Sequence, residues 1–441
     1  MTTLASPRAL SLVLLPLCLA ASPASALQPL QAFVDSSRVR NPNAREARAN
    51  LDTARAASDV ALGRQLPSLD LRGSYTRNQY DVVLPLALLD PAAPATATLT
   101  LQPYDQFDFF GQVTVPLVDM ASFWRIRAAR LGADAADQQF QATGLQVESQ
   151  VVQDYYQLVA DIALVTAAQR ALDVAMAGQS LTLELVRLGR APPLEQDRAE
   201  AEVQRSVQQL AQAKLLVAVA SQALGSDSGI TPEIEGAGPE LRDDLHAEAA
   251  EASFVPPEAG TPAMAAARLA LHSQELQGQA ARLQFVPALS GDVNEHVGNY
   301  LGFSGQQSSW TAVAMLTWHF DYSLIANLRL QDAQSAAADA RRQRVTAMTL
   351  DAIHDSWAQV QASIARSHAA RIQAQATRHA EQLASDRYHV GAATQLDLLQ
   401  AQRDAFSADV ARIQADADLS NARLQLRLAA GRDPFERGAT P

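Results

Sequence analysis

Residues 385–404 read SDRYHVGAATQLDLLQAQRD, and a long helical pattern stops inside this stretch, turns at Gly391 and starts again. Glycine supplies the left-handed backbone position that commonly ends a helix, and Thr394 is the expected N-cap of the run that follows. Beyond the turn, Leu396, Leu399, Arg403, Phe406, Val410, Ile413, Ala417, Ser420 and Leu424 recur at alternating three- and four-residue spacings, the seam of a coiled-coil-like helix. Upstream, Leu350, Ile353, Trp357, Val360 and Ile364 keep the same spacing, so two long antiparallel helices meet at this turn.

The same design occurs twice. A shift of 202 residues lays Asp321 on Asp119, Arg329 on Arg127, Ala337, Ala338 and Asp339 on Ala135, Ala136 and Asp137, Trp357 on Tyr155 and Gly391 on Gly189. Past the turn, Leu396 falls on Leu194, Asp397 on Glu195 and Asp404 on Glu202. A register held without a gap over so long a stretch indicates internal duplication. Asp119 to Gly189 and Asp321 to Gly391 each span 70 residues without a proline, about 105 Å of helix. Gly132, Gly144 and Gly178 are expected kinks or breaks within the first of these spans.

Ahead of each long helix the hydrophobic period changes from 3.6 to 2. A charged, Ala-rich helix begins at Asn41–Pro42, runs from Asn43 to about Leu66 and closes at Pro67; then Leu69, Leu71, Gly73 and Tyr75 alternate with Asp70, Arg72, Ser74 and Thr76. A Pro- and Ala-rich loop, residues 81–103, leads to a second strand in which Phe107, Phe109, Gly111, Val113 and Val115 alternate with Asp108, Gln112 and Thr114. Phe110 breaks that alternation, and Pro116 is the expected end of the strand. The second copy repeats the order: a helix from Ala263, a strand at Leu289–Asn294, a Gly-rich loop at 298–305 and a strand at Trp310–Phe320. The reading divides the chain into a leader at 1–26, a first repeat at 27–225, an acidic Gly- and Pro-punctuated linker at 226–262, a second repeat at 263–431 and a tail at 432–441.

Composition narrows the function. The chain has 441 residues, 48% of them hydrophobic but only 5% aromatic, the bias of long helices. Its formal charge of −12 argues against nucleic acid as a partner. Arg8, the apolar run from Ala9 to Ala21 and the pattern Ala24-Ser25-Ala26 predict a secretory signal cleaved after Ala26. Cys18 is the only cysteine and follows Leu17, a poor context for lipidation, so the mature chain is expected to begin near Leu27 without a thiol or a lipid. No later segment offers the ~20 apolar residues of a spanning helix. The eight histidines show no paired ligand spacing, and phosphate loops, nucleophile elbows and metalloprotease helices are all missing, so no catalysis, metal or cofactor is expected. Asp351, Asp355 and Glu381 read as solvated helix residues.

Two strands per repeat with an apolar face cannot bury that face or satisfy their edges alone. In lipid an open edge is prohibited, so the strands must close with copies from other subunits. The aromatic residues Tyr75, Tyr80, Tyr104, Phe107, Phe109, Tyr300, Phe303, Trp310 and Trp318 cluster in or beside the hairpins, as in outer-membrane barrels.

These residues resemble a family. The duplicated order of helix, strand pair, long helix, turn and helix is similar to that of TolC-type outer membrane efflux proteins. RYHVGAATQLDLLQAQ, residues 387–402, resembles the family's second periplasmic turn, and VPLVDMASFWRIRAAR, residues 115–130, with a weaker copy from Thr317, resembles the entry into its long helices. The resemblance implies an α+β membrane protein with duplicated long α-helical hairpins and two β-hairpins. It implies a homotrimer whose strands complete a 12-stranded β-barrel and whose helices complete an α-helical barrel. Such a protein sits in the outer membrane, extends into the periplasm and serves as a passive exit duct, partnered by a periplasmic adaptor and an inner-membrane transporter of a tripartite pump or a type I secretion system. The rival readings are a periplasmic adaptor, which carries one helical hairpin between two halves of a β-domain, and a coiled-coil structural protein, which needs no amphipathic strands.

The resemblance also names site residues. Gly189 and Gly391, with Tyr388 and Glu195 beside them, mark the two helical-hairpin turns. Asp397, six residues past Gly391, holds the place of an acidic residue facing the pore at the closed tip, and its companion three residues on is Gln400. The first copy departs from the motif, with Leu185 and Val186 in place of the Arg-Tyr pair and Pro192–Pro193 after the glycine.

Overall fold

The 202-residue repeat is carried by the backbone. In the computed structural model, which describes residues 27–435 apart from 89–91, 93, 95, 235–240, 242, 258–259 and 302–304, two helices of 68 residues each occupy equivalent places: α3 (Met120–Arg187) and α6 (Tyr322–His389). Both are capped by an aspartate at the same register. Asp119 accepts from the Ser122 amide and Asp321 from the Leu324 amide, satisfying N–H groups that the helix itself leaves orphaned. Gly132, Gly144 and Gly178 do not break α3. A glycine inside a helix costs roughly 0.5–1 kcal/mol relative to alanine, too little to interrupt a helix packed against neighbours along its length.

The chain then turns at Gly189 and Gly391, both in the left-handed region (φ +68° and +75°), and returns as α4 (Pro193–Ser228) and α7 (Gln395–Ala429). Three shorter helices complete the set: α1 (Leu30–Arg40), α2 (Pro42–Gly63) and α5 (Pro262–Arg282). Helix α1 went unread in the sequence, although Leu30, Phe33, Val34 and Ser37 lie at helical spacing and are all buried. Helix α2 starts where Asn41 predicts it, the Asn41 side chain accepting from the Asn43 amide.

Helix α3 packs against α4 on one side and α7 on the other, and α7 packs against α6; toward the sheet, α2 and α5 flank α3 and α5 reaches α6. The short helices continue the return helices. Asn41 Nδ2 donates to the Asp227 carbonyl at the end of α4 (2.8 Å), and Thr261 and Pro262 at the start of α5 lie against Gly431 just past α7. The bulky core sits at this joint, where Phe33, Val34, Val151, Val152, Leu158, Val159 and Leu224 are almost fully buried. Nearer the turns the contacts are made by alanines such as Ala168, Ala213, Ala405 and Ala408, which let helices approach closely.

The seam of α7 differs from its reading. Leu399, Ile413 and Ala417 are buried, but Leu396 is 58% exposed and Leu398 is buried instead. Helix α7 is sandwiched between α3 and α6, so its buried surface is wider than a single heptad stripe and takes in Ala405, Ala408, Leu419 and Leu426. Glu381 is likewise not a plain solvated residue: it is half-buried at the rim of a cavity near the turns, and burial, reinforced by Asp409, raises its pKa.

Four strands, β1 (Ser68–Arg77), β4 (Asp105–Val118), β5 (Ala288–Gly298) and β6 (Ser308–Thr317), form one antiparallel sheet in the order β1-β4-β5-β6. The two repeats therefore join at β4–β5. Strand β4 does not stop at Pro116; the register shifts between Pro116 and Val118, and a bulge at that point accommodates the missing N–H. The loop read at 81–103 contains a small hairpin of its own, β2 (Val82–Pro85) with β3 (Thr98–Gln102). The leader at 1–26, with Cys18, and the end of the tail fall outside the described residues.

Candidate functional site

The cross-strand register assigns every residue of the sheet to a face. Leu69, Val113, Val293 and Ala312 form one row and Tyr75 with Phe107 another, all on the apolar face. Trp310, Ala312, Ala314 and Leu316 continue that face along β6, and Trp318 lies just beyond the strand end. From Trp310 to Trp318 is about 26 Å at the strand rise, the height of the apolar band on a membrane barrel. Trp310 is 71% exposed and Trp318 69%. Tyr75, Phe107 and Phe109 extend the outer aromatic band, while Phe123, Phe320 and Tyr322 join Trp318 at the helical end. The opposite face is polar: Thr114 and Gln112 donate to Asp292, and His296 and Gln106 bond to Asp108. Both edges, β1 and β6, lack a partner strand among the described residues.

At the far end of the helices the two repeats are tied together. The Tyr388 hydroxyl lies 3.4 Å from Thr182 Oγ1 and donates to Glu195 Oε2 at 3.3 Å, and Gln395 Nε2 donates to the Glu195 carbonyl at 2.7 Å. Tyr388 is only 7% exposed, and burial is the main reason its pKa is raised. Two turns further along, the Arg403 guanidinium grips Glu202 through both Nε and Nη2 (3.0 and 2.6 Å). Four of the six residues named from the sequence are thus together at the turns, and Tyr388 and Glu195 touch. Thr182, Gln395 and the Arg403–Glu202 pair went unread, because a contact between repeats leaves no mark in either helix's own period.

Asp397 and Gln400 lie on the exposed side of α7, in an open groove shared with Thr377, Ala380 and Asp404. Asp397 closes a reciprocal capping box: Thr394 Oγ1 accepts from the Asp397 amide, and the Asp397 carboxylate accepts from the Thr394 amide at 3.0 Å and its hydroxyl at 2.7 Å. The hydroxyl is the larger of these influences, and together they hold the carboxyl below the usual carboxylate range. Gln400 Nε2 donates to Asp404 Oδ1 at 3.0 Å, so the second acid on this face is Asp404, one heptad beyond Asp397.

The outer membrane efflux protein family model matches residues 33–229 and 258–432, both repeats in order. The chain belongs to that family. A curated relative, the probable efflux pump outer membrane protein TtgC of Pseudomonas putida, is 24% identical over 403 residues, 87% of this chain and 79% of the relative. Among solved structures, the fold is similar to the Campylobacter jejuni CmeC outer membrane channel (TM-score 0.77, 18% identity, 93% of this chain and 87% of that one). It is also similar to the open state of the Neisseria gonorrhoeae MtrE outer membrane channel (TM-score 0.75, 20% identity, 93% and 91%). As a member of this family of channel proteins the chain has a TolC-like α+β fold and is an outer-membrane efflux duct, with strands in the outer membrane and helices in the periplasm. No helix among the described residues is long and apolar enough to cross a membrane.

One cluster of ligand-type side chains in this family member sits on the linker: Asp243, Asp244 and His246. The Arg423 guanidinium already binds two of its three members. Arg423, whose side chain is 7% exposed, bonds to Asp243, Glu248 and both the ring and the carbonyl of His246, and Arg371 donates to the Asp243 carbonyl. Leu245 between them takes φ +60°, a left-handed conformation unusual for leucine. The cluster pins the linker onto α6 and α7, and Trp357 Nε1 adds a bond to the Ala249 carbonyl.

Proposed function

We propose that three copies of this chain close into the exit duct of a tripartite efflux pump. The observation that carries the reading is a four-stranded sheet with two open edges and one apolar face between aromatic bands. Neither edge is tolerable in lipid, and pairing β1 of one copy with β6 of the next satisfies both. Twelve strands then form the barrel, and the helices form a periplasmic cylinder that ends at Gly189 and Gly391. Large apolar side chains left open on α4 (Leu215, Val219) and α6 (Met348, Ile372) support the same closure, because these are the outer helices of the four-helix wall.

Efflux is preferred to protein secretion because the Pseudomonas putida relative is named as an efflux pump component. A periplasmic adaptor and an inner-membrane transporter complete the assembly, and the duct itself carries out no catalysis. At the tip, threefold symmetry gathers three copies of Asp397 around one axis, with Gln400 beside them contributing no charge. The proposed functional units are the repeats at 27–225 and 263–431, with the linker at 226–262 as a belt.

Electrophoresis of outer-membrane fractions without boiling tests the assembly. A heat-labile band at three times the chain mass is expected; a monomer in that fraction, or recovery in the soluble periplasm, overturns the reading.

A further inference from the structure

Phe110 is the residue that breaks the alternation of β4, and the register puts it on the polar face of the sheet in one cross-strand row with Arg72 on β1 and His296 on β5. The Phe110 and His296 rings stack with centroids 4.4 Å apart and planes within 16°, yet Phe110 remains 44% exposed. The imidazole is held in place from behind: its Nε2 bonds to Asp108 at 2.8 Å, and Asp108, only 8% exposed, also accepts from Gln106. One pair of residues down β4 and β5, Gln112 and Asn294 present their amides on the same face. Asp70 and Arg72 stand two residues apart on β1, on this face, and neither side chain is engaged by another among the described residues. Asp70, Arg72, Phe110, Gln112, Asn294 and His296, with the Glu295 carboxylate at the border, line a concave site of about 380 Å³.

We propose that this concavity is a transit-binding site on the lumen wall for planar aromatic zwitterions. An aromatic pair left half-open to water gains by covering its exposed ring with a flat apolar solute. Arg72 offers a planar donor fork to a carboxylate, and Asp70 accepts from an ammonium. Their backbone separation of about 7 Å sets the spacing of the two charges on the solute. A simple anion or a simple cation leaves one of the two unsatisfied. The polar amides of Gln112 and Asn294 border the site and tolerate varied substituents, which suits retention that is brief enough to permit passage.

The proposal rests on reading this face as the lumen, and the test separates the two. The assembled protein is placed in planar bilayers with aminomethyl-naphthoate as the zwitterionic probe, and with naphthoate and naphthylmethylammonium as its singly charged counterparts. The zwitterion should interrupt the current, with dwell times shortened about tenfold by Arg72→Gln and by Asp70→Asn, the ratio expected for one lost charge-assisted hydrogen bond. Phe110→Leu should shorten them as well. In parallel, Thr311→Cys, on the same face of β6, should lose conductance when treated with a charged thiol reagent. Equal dwell times in all channels, with Thr311→Cys responsive, overturn the site alone. Naphthoate dwelling as long as the zwitterion, insensitive to Asp70→Asn, overturns the solute class. An unresponsive Thr311→Cys overturns the lumen reading and the site with it.

Discussion

Asp154, on α3 beside the end of α4, has a carboxyl pushed up to about 6, first by burial and then by the neighbouring Asp227. The folded protein therefore binds this proton more tightly than the unfolded chain, whose value lies near 4. The contribution to stability is complete below that unfolded value and is lost as pH climbs toward 6. Asp154→Asn removes the charge at nearly the same size. It should raise the unfolding temperature at neutral pH and remove this part of the pH dependence, read by thermal scans between pH ~4 and pH ~7; an unaltered pH profile would show that the pair does not titrate in this way. Asp397 behaves oppositely, since the Thr394 hydroxyl and amide favour its charged form. In the proposed trimer, crowding of three copies on one axis would work against that and raise the carboxyl pKa. With the capping bonds resisting protonation, a ring of Asp397 should stay charged into weakly acidic solution and keep its cation preference there. Asp397→Asn, which retains a carbonyl for the cap, should lower cation selectivity in planar bilayers. An unchanged reversal potential in a salt gradient, with trimers intact, takes Asp397 out of the pore.

At the scale of the elements, the helix-ending glycines are separable by their surroundings. Gly391 sits at φ +75° with open space around the position of a Cβ, whereas Gly229, ending α4 at φ +71°, would place a Cβ only 2.6 Å from the Cβ of Arg40. Gly391→Ala should cost only the backbone strain, about 1 kcal/mol. Gly229→Ala adds a collision between two backbone-fixed atoms and should destabilise by clearly more, because α1 and α4 must separate to relieve it. Denaturant unfolding of the two variants side by side checks the order; equal losses would mean that the joint between α4 and α1 yields freely. The Arg403–Glu202 pair shows why element boundaries alone are insufficient here, for it links the two return helices and holds the hairpins together near their free ends.

For the whole molecule, the two 68-residue helices leave the sheet at one end, beyond Val118 and Thr317, whereas the strand ends at Arg77, Asp105, Gly298 and Ser308 lie at the other. We therefore expect the connection after Arg77 outside the cell and the helical turns at the periplasmic end. Cysteine introduced at Ala92 should react with an impermeant thiol reagent on whole cells, and cysteine at Ala392 should react only after the outer membrane is opened. The reverse pattern is incompatible with this orientation. The matching site in the second loop, near Gly302, lies outside the described residues.

What the sequence by itself determined was everything with a local period or a repeat. The Thr394 cap, the glycine turns at Gly189 and Gly391, the strand faces and the 202-residue register follow from hydrophobic spacing and from backbone preferences that act within a few residues. Tertiary structure alone decided where the repeats touch. It placed Leu396 in solvent and Leu398 in the core, since α7 has two neighbours and a heptad seam anticipates one. It carried β4 through Pro116 by pairing it with β5, and it brought Tyr388 to Glu195 across 193 residues of chain. It also set Phe110 beside His296, a meeting fixed by strand register and invisible to either strand alone, because burial and pairing energies depend on which surfaces meet and not on the order in which the residues were joined.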